Sequence, residues 1–130
     1  MGYLLTIHGL VRWLAALVAI VAIIRSIAGL VQKQTYASRD RGLISAYTIV
    51  LDINLLLGLI LLFGLGGGFP MDRIEHASTM MIAIVIGHST AAWRKSDDSA
   101  KKFRNNLIAV VASLLFILMG VIRLRGGWTF

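Results

Sequence analysis

Three histidines carry most of the chemistry open to this chain. His8 stands in Leu4–Trp13, LLTIHGLVRW, and His76 in Pro70–Arg94, PMDRIEHASTMMIAIVIGHSTAAWR. Each lies about one turn inside a long apolar segment, and His88 follows His76 by twelve residues. An ionisable ring in an apolar membrane segment is costly, so function is the default suspicion. Two imidazoles on separate helices at one depth can bind one haem iron from opposite faces, the b-type arrangement. The plainer reading is that each histidine caps a helix end or reaches interfacial water.

The neighbours of these rings suggest further roles. Gly9 adjoins His8 and, lacking a side chain, can admit a flat macrocycle or simply let another helix close in. Arg12, four residues after His8, shares its face. It can neutralise a haem propionate or pair with Asp52 in the second apolar segment, and buried charge requires one such partner. Asn54 is expected to face the same interior. Trp13 can stack on a ring edge or pack against lipid. Met80, four after His76, is an alternative axial ligand or a packing residue. His88 lies about 18 Å from His76 along a helix and points about 120° away, so it cannot ligate the same iron. A quinone, a proton relay, a single bond to a second haem and a structural hydrogen bond all remain open for it. With three histidines, two haems ligated by histidine pairs of this chain are excluded. Ala83, Gly87 and Ala91 form a small-residue row suited to close helix contact. Arg25 is placed to snorkel towards headgroups.

These residues need helices in a membrane to position them. Hydrophobic residues make up 58% of the chain and charged ones 15%, outside the balance of soluble domains. Four apolar segments are expected as helices, at about residues 2–30, 42–65, 72–93 and 103–122 of one transmembrane domain covering 1–130. A hydrocarbon core of about 30 Å needs about 20 helical residues, which each segment supplies. The linkers VQKQTYASRDR and RKSDDSAKKFR are polar and basic. GLGGGFP is a turn, since the glycines stop a helix and Pro70 cannot continue one. Asp72 with Glu75 has the form of a capping box. Trp128 and Phe130 in the tail suit the interfacial zone.

Short linkers predict an all-α, up-down-up-down integral membrane four-helix bundle. Nine Lys and Arg residues then fall on the linker side and three on the other. The positive-inside rule puts both termini on the non-cytoplasmic side. The first and third helices run parallel, and His8 and His76 each lie within about 10 Å of a helix start. The net charge of +7 does not indicate nucleic acid, because the cations fall between apolar runs. Absence of cysteine excludes disulfides, thiolate metal sites and covalent haem attachment. The first apolar run is too long for a cleavable signal peptide and lacks a basic leader. No nucleophile–base pair or phosphate loop suggests a catalytic site of its own.

Three stretches carry a resemblance: IHGLVRW, with its H-x-x-x-R-W spacing; YTIVLDINLLLGLILLFG, with L-L-x-G-L; and RIEHASTMMIAIVIGHSTAAWRK. Together, over roughly residues 3 to 105, they resemble a family of small bacterial four-helix membrane proteins commonly labelled cytochrome B or haem-binding. The resemblance implies haem binding for His8 and His76, with Arg12, Trp13, Glu75 and His88 as further motif positions.

The expectation is a b-type cytochrome-like subunit of a bacterial inner membrane, carrying one bis-histidine haem b for electron transfer. A quinone or second haem can lie near His88. Its partners would be lipid, quinone or redox subunits, within or next to a quinone-linked respiratory or photosynthetic complex. The alternative is a haem-free accessory subunit that binds lipid, pigment or neighbouring chains. A small transporter lined by Arg12, Asp52 and Asn54 is the third reading, weakened by the absence of repeated halves.

Overall fold

The computed structural model describes the backbone of residues 2–64 and 71–125, and the side chains of 3–64 and 73–122. The turn after Gly64, the Asp72 side chain, Trp128 and Phe130 lie outside the described residues. The fold is all-α, with α1 at Gly2–Val31, α2 at Ser38–Gly64, α3 at Met71–His88 and α4 at Ser99–Arg125. Helices α1, α2 and α4 are each long and apolar enough to cross a membrane.

Two helices start a turn earlier than the apolar pattern suggests, because acidic residues in the polar linkers cap them. The Asp40 carboxylate accepts the backbone N–H of Ala37 at 2.9 Å, the backward reach of a capping box. The Asp98 carboxylate accepts the N–H of Lys101 at 3.1 Å, an ordinary N-cap bond. At the end of α1, Gln34 N–H donates to Gly29 O and Lys33 N–H to Leu30 O. This double bond pattern is a Schellman motif, and Lys33 takes its left-handed position with φ of 51°. Helix α3 tightens after His88 into a 3-10 turn, Ser89–Trp93. There the hydroxyls of Ser89 and Thr90 bond back to the carbonyls of Ile86 and Gly87, competing with the α-helical pattern.

The helices pack in a ring, α1 on α2, α2 on α3, α3 on α4 and α4 on α1. The sequence-distant contacts make every neighbour antiparallel: Gly58 meets His8, Gly87 meets Tyr47 and Leu51, Gly120 meets His76, and Gly29 meets Phe103. Buried positions recur at three- and four-residue steps. On α1 they are Gly9, Arg12, Ala15, Ala19, Ala22, Ser26 and Gly29; on α4 the row Phe103, Asn106, Val110, Ser113, Ile117 and Gly120 is flanked by buried Ala109 and Val121. That spacing is the seam of a left-handed bundle.

The polarity of the fold is turned outward. The α1 seam is small or polar, while Leu17, Ile24, Leu56, Val85 and Ile108 are each more than half exposed. Soluble monomers avoid such continuous apolar surface, whereas helices in lipid associate through small residues and hydrogen bonds. One buried chain serves this purpose at mid-height. Tyr47 Oη and Ser113 Oγ are 2.8 Å apart, and Ser113 Oγ–H donates to Ala83 O at 2.8 Å, joining α2, α3 and α4. At the linker end, Arg25 Nε donates to Asp40 at 2.5 Å, and its Nη1 donates to Gln34 Oε1. Its guanidinium lies 5.2 Å from the Phe103 ring centre. Arg25 thus ties α1 to α2 instead of extending freely to headgroups.

Gly29 and Gly42 offer a direct comparison. A Cβ at Gly29 would lie 2.6 Å from the Phe103 ring, whereas one at exposed Gly42 would meet nothing within 4 Å. Gly29→Ala is expected to cost about 1–3 kcal/mol through overpacking. Gly42→Ala should be neutral or stabilise by up to about 1 kcal/mol. Thermal unfolding in detergent measures both, and equal shifts would contradict this account of the seam.

Candidate functional site

At the end of the bundle away from the basic linkers, the seam residues stop filling the interior. A cavity of about 180 Å³ opens there, with walls from all four helices. His8, Arg12 and Ala15 face it from α1, and Asn54, Leu55 and Gly58 from α2. Arg73, His76 and Met80 line it from α3, and Ile117 and Val121 from α4. Helices α2 and α3 pack least closely of the neighbouring pairs and give most of the lining.

Each of the two histidines is backed by a glycine of the next helix. A Cβ at Gly58 would lie 3.2 Å from His8 Cε1, so the ring rests against bare α2 backbone. His76 Nδ1 is 3.1 Å from the carbonyl oxygen of Gly120. A Cβ at Gly120 would overlap Met80 and lie 3.5 Å from that Nδ1. Because a carbonyl only accepts, His76 donates a proton to it from Nδ1. Metal-bound histidines are commonly oriented by such a bond from the other ring nitrogen. His8 and His76 come from α1 and α3, which stand diagonally in the ring of helices.

The wall is apolar apart from a few groups. Arg12 is only 7% exposed, so a guanidinium is carried deep into the bundle, four residues below His8. Arg73 stands one turn from His76 on the same lining. The Asn54 Oδ1 is buried without a hydrogen-bond partner among the described residues, leaving an acceptor for a donor from a ligand or water. Among the described residues no three of His, Asp and Glu converge. The metal-ligating side chains described on its wall are the two imidazoles and the Met80 thioether.

The structure thus brings His8, His76 and Arg12 to one cavity, with Asn54 and Met80 beside them. Gly9, Trp13 and His88 are not among its lining residues. Gly9 is buried, but a Cβ there would meet nothing within 4 Å. Trp13 is 43% exposed on the outer surface. His88 Nε2 lies 2.7 Å from Asp52 Oδ1, and both side chains are half exposed. Asp52 is therefore engaged across the α2–α3 seam, away from buried Arg12. Arg73 and Gly58 were not picked out from sequence as site residues. Their signals were positional: Arg73 falls three before His76, and Gly58 interrupts a leucine run at the depth of His8.

The Asp52–His88 bond lends itself to a double-mutant cycle. Hydrogen bonds between membrane helices average about 0.6 kcal/mol, so Asp52→Asn and His88→Ala should each destabilise by less than about 1 kcal/mol. Their effects should be less than additive, and strict additivity in thermal unfolding would show that the two groups do not couple. Comparisons of the chain with family models, curated proteins and solved structures give no match.

Proposed function

We propose that the chain is a membrane-embedded carrier of one b-type haem, held between His8 and His76. Its role is electron transfer within or next to a quinone-linked complex of a bacterial inner membrane. The observation that supports this reading most is that two imidazoles line one cavity from diagonal helices, each backed by a glycine. In this reading α3 crosses the bilayer with the other three helices. Both termini lie on the non-cytoplasmic side, by the excess of Lys and Arg in the linkers.

The residues present fit the group. The two imidazoles and the mostly apolar lining suit a haem chemically, while the cavity of about 180 Å³ is near the roughly 150 Å³ that admits benzene, so a macrocycle would enter only with α2 and α3 moving apart. A bound haem would supply reversible one-electron chemistry at its iron. The chain's own residues perform the remaining tasks. The Gly120 carbonyl orients the His76 ring through its bond to Nδ1. Arg12 and Arg73 would offset carboxylate charge carried by such a group. Leu55, Leu62, Ile84 and Val121 would keep water from it. Asn54 offers its buried oxygen to a donor.

The half-exposed Asp52–His88 pair on the outer surface favours a second reading. Ionisable groups facing lipid need polar cover, which a quinone headgroup or a neighbouring subunit would give. A haem-free accessory subunit would copurify with partner chains at fixed stoichiometry and show no haem in a pyridine assay.

Absorption spectra of the purified protein, oxidised against reduced, separate the two readings. A bis-histidine haem should give a Soret band that sharpens and shifts on reduction. His8→Ala and His76→Ala should each abolish that signature, while His88→Ala keeps it. An unchanged spectrum in His76→Ala would end the ligand assignment.

A further inference from the structure

The second recess of the fold lies at the opposite end, where the linkers meet the helices. It is a dimple of about 20 Å³, enough for a single oxygen-sized group. Its floor is held in place by hydrogen bonds. Trp93 Nε1–H donates to Asn106 Oδ1 at 2.7 Å, and Asn106 Nδ2–H donates to Tyr36 Oη at 2.9 Å. Its rim carries three cations, Arg41, Arg94 and Lys102. Lys102 Nζ stands 5.0 Å from the centre of the Tyr36 ring.

No carboxylate lines this recess among the described residues. Asp40 is committed to Arg25, and Asp98 caps α4. The electrostatics of Tyr36 report the same convergence. Burial, the largest influence, and the charge of nearby Asp40 push its phenol up, while the bond from Asn106 and the charges of Arg41 and Arg94 oppose them. Three cations therefore meet around a rigid aromatic floor without an acidic partner in the recess.

We infer that this recess binds the phosphate of an anionic membrane phospholipid, with one phosphate oxygen seated over the Trp93–Asn106–Tyr36 floor and Arg41, Arg94 and Lys102 around it. The location suits that ligand. Trp and Tyr concentrate at headgroup level, and basic pockets between membrane helices on the linker side recognise anionic headgroups. A dimple of this size holds one oxygen and leaves the glycerol and acyl chains outside, along the apolar outer surface. The recess lies at the other end of the bundle from the histidine cavity, so this inference stands independently of haem.

Native mass spectrometry of the detergent-purified chain tests it, with phosphatidylglycerol, phosphatidylcholine and inorganic phosphate as probes. Phosphatidylglycerol should be retained in preference to phosphatidylcholine. Each rim charge removed should weaken it about fivefold, so Arg41→Gln with Arg94→Gln should weaken it about 30-fold. Arg41→Lys with Arg94→Lys should keep the preference, as should a Lys95→Gln, Lys101→Gln control whose charges lie outside the recess. Equal retention of the two lipids, or an equal loss in the control, would overturn the proposal. Displacement of phosphatidylglycerol by inorganic phosphate at similar concentration would show a free-phosphate site and overturn the lipid assignment.

Discussion

Close approach of helix backbones is the constraint on which the rest of this structure depends. Hydrocarbon surrounding a helix is as apolar as its leucines, so burying them against one another gains little. Dispersion contacts and buried hydrogen bonds must hold the helices instead, and both require short distances. The α1 seam of Ala15, Ala19, Ala22, Ser26 and Gly29 provides them. At its lower end the Phe103 ring lies on bare Gly29 backbone. At mid-height the Tyr47–Ser113–Ala83 chain satisfies the only polar groups it introduces.

The cavity follows from the same seam. Above Ala15 the inward positions change to Arg12 and His8 on α1, and to Asn54 and Gly58 on α2. These residues occupy inward positions without interdigitating as Phe103 and Tyr47 do. The unfilled volume collects between the helices there. Gly58 and Gly120 lodge the two imidazoles against backbone, so the rings sit on the walls and leave the centre open. A cavity built from residues that decline to fill it is better suited to receiving a ligand than to stabilising the fold.

Ionisable groups in the apolar part of the chain are handled in distinct ways. Arg25 and Asp40 pair beside the linkers and double as a cap for α2. His88 and Asp52 pair across α2 and α3 on the outer surface. Arg12 is carried inward to the cavity wall. The first arrangement holds helix ends together. The other two place charge where packing does not need it, which is why the proposed ligand chemistry is sought there. The two ends of the bundle thereby differ in kind, one a cross-linked basic rim and the other an apolar cavity edged by nitrogen.

Much of the fold was legible in the chain itself. Apolar run lengths gave four helices, polar basic linkers gave their boundaries only to within about a turn, and alternating short connections gave antiparallel neighbours. Counting residues at 1.5 Å each placed His8 and His76 at similar depth, and both line one cavity. Capping escaped that reading, because Asp40 and Asp98 lie in stretches whose composition looks like linker. Pairing escaped it as well. Depth alone left Asp52 open to Arg12, but a side chain's direction depends on how each helix is rotated within the ring, and that rotation turned Asp52 outward to His88. The sequence by itself determined which residues lie in the apolar segments and at what height. Only the tertiary structure decided which of them share a cavity, because helix rotation depends on which side chains seat against Gly29, Gly58, Gly87 and Gly120, from segments far apart in the chain.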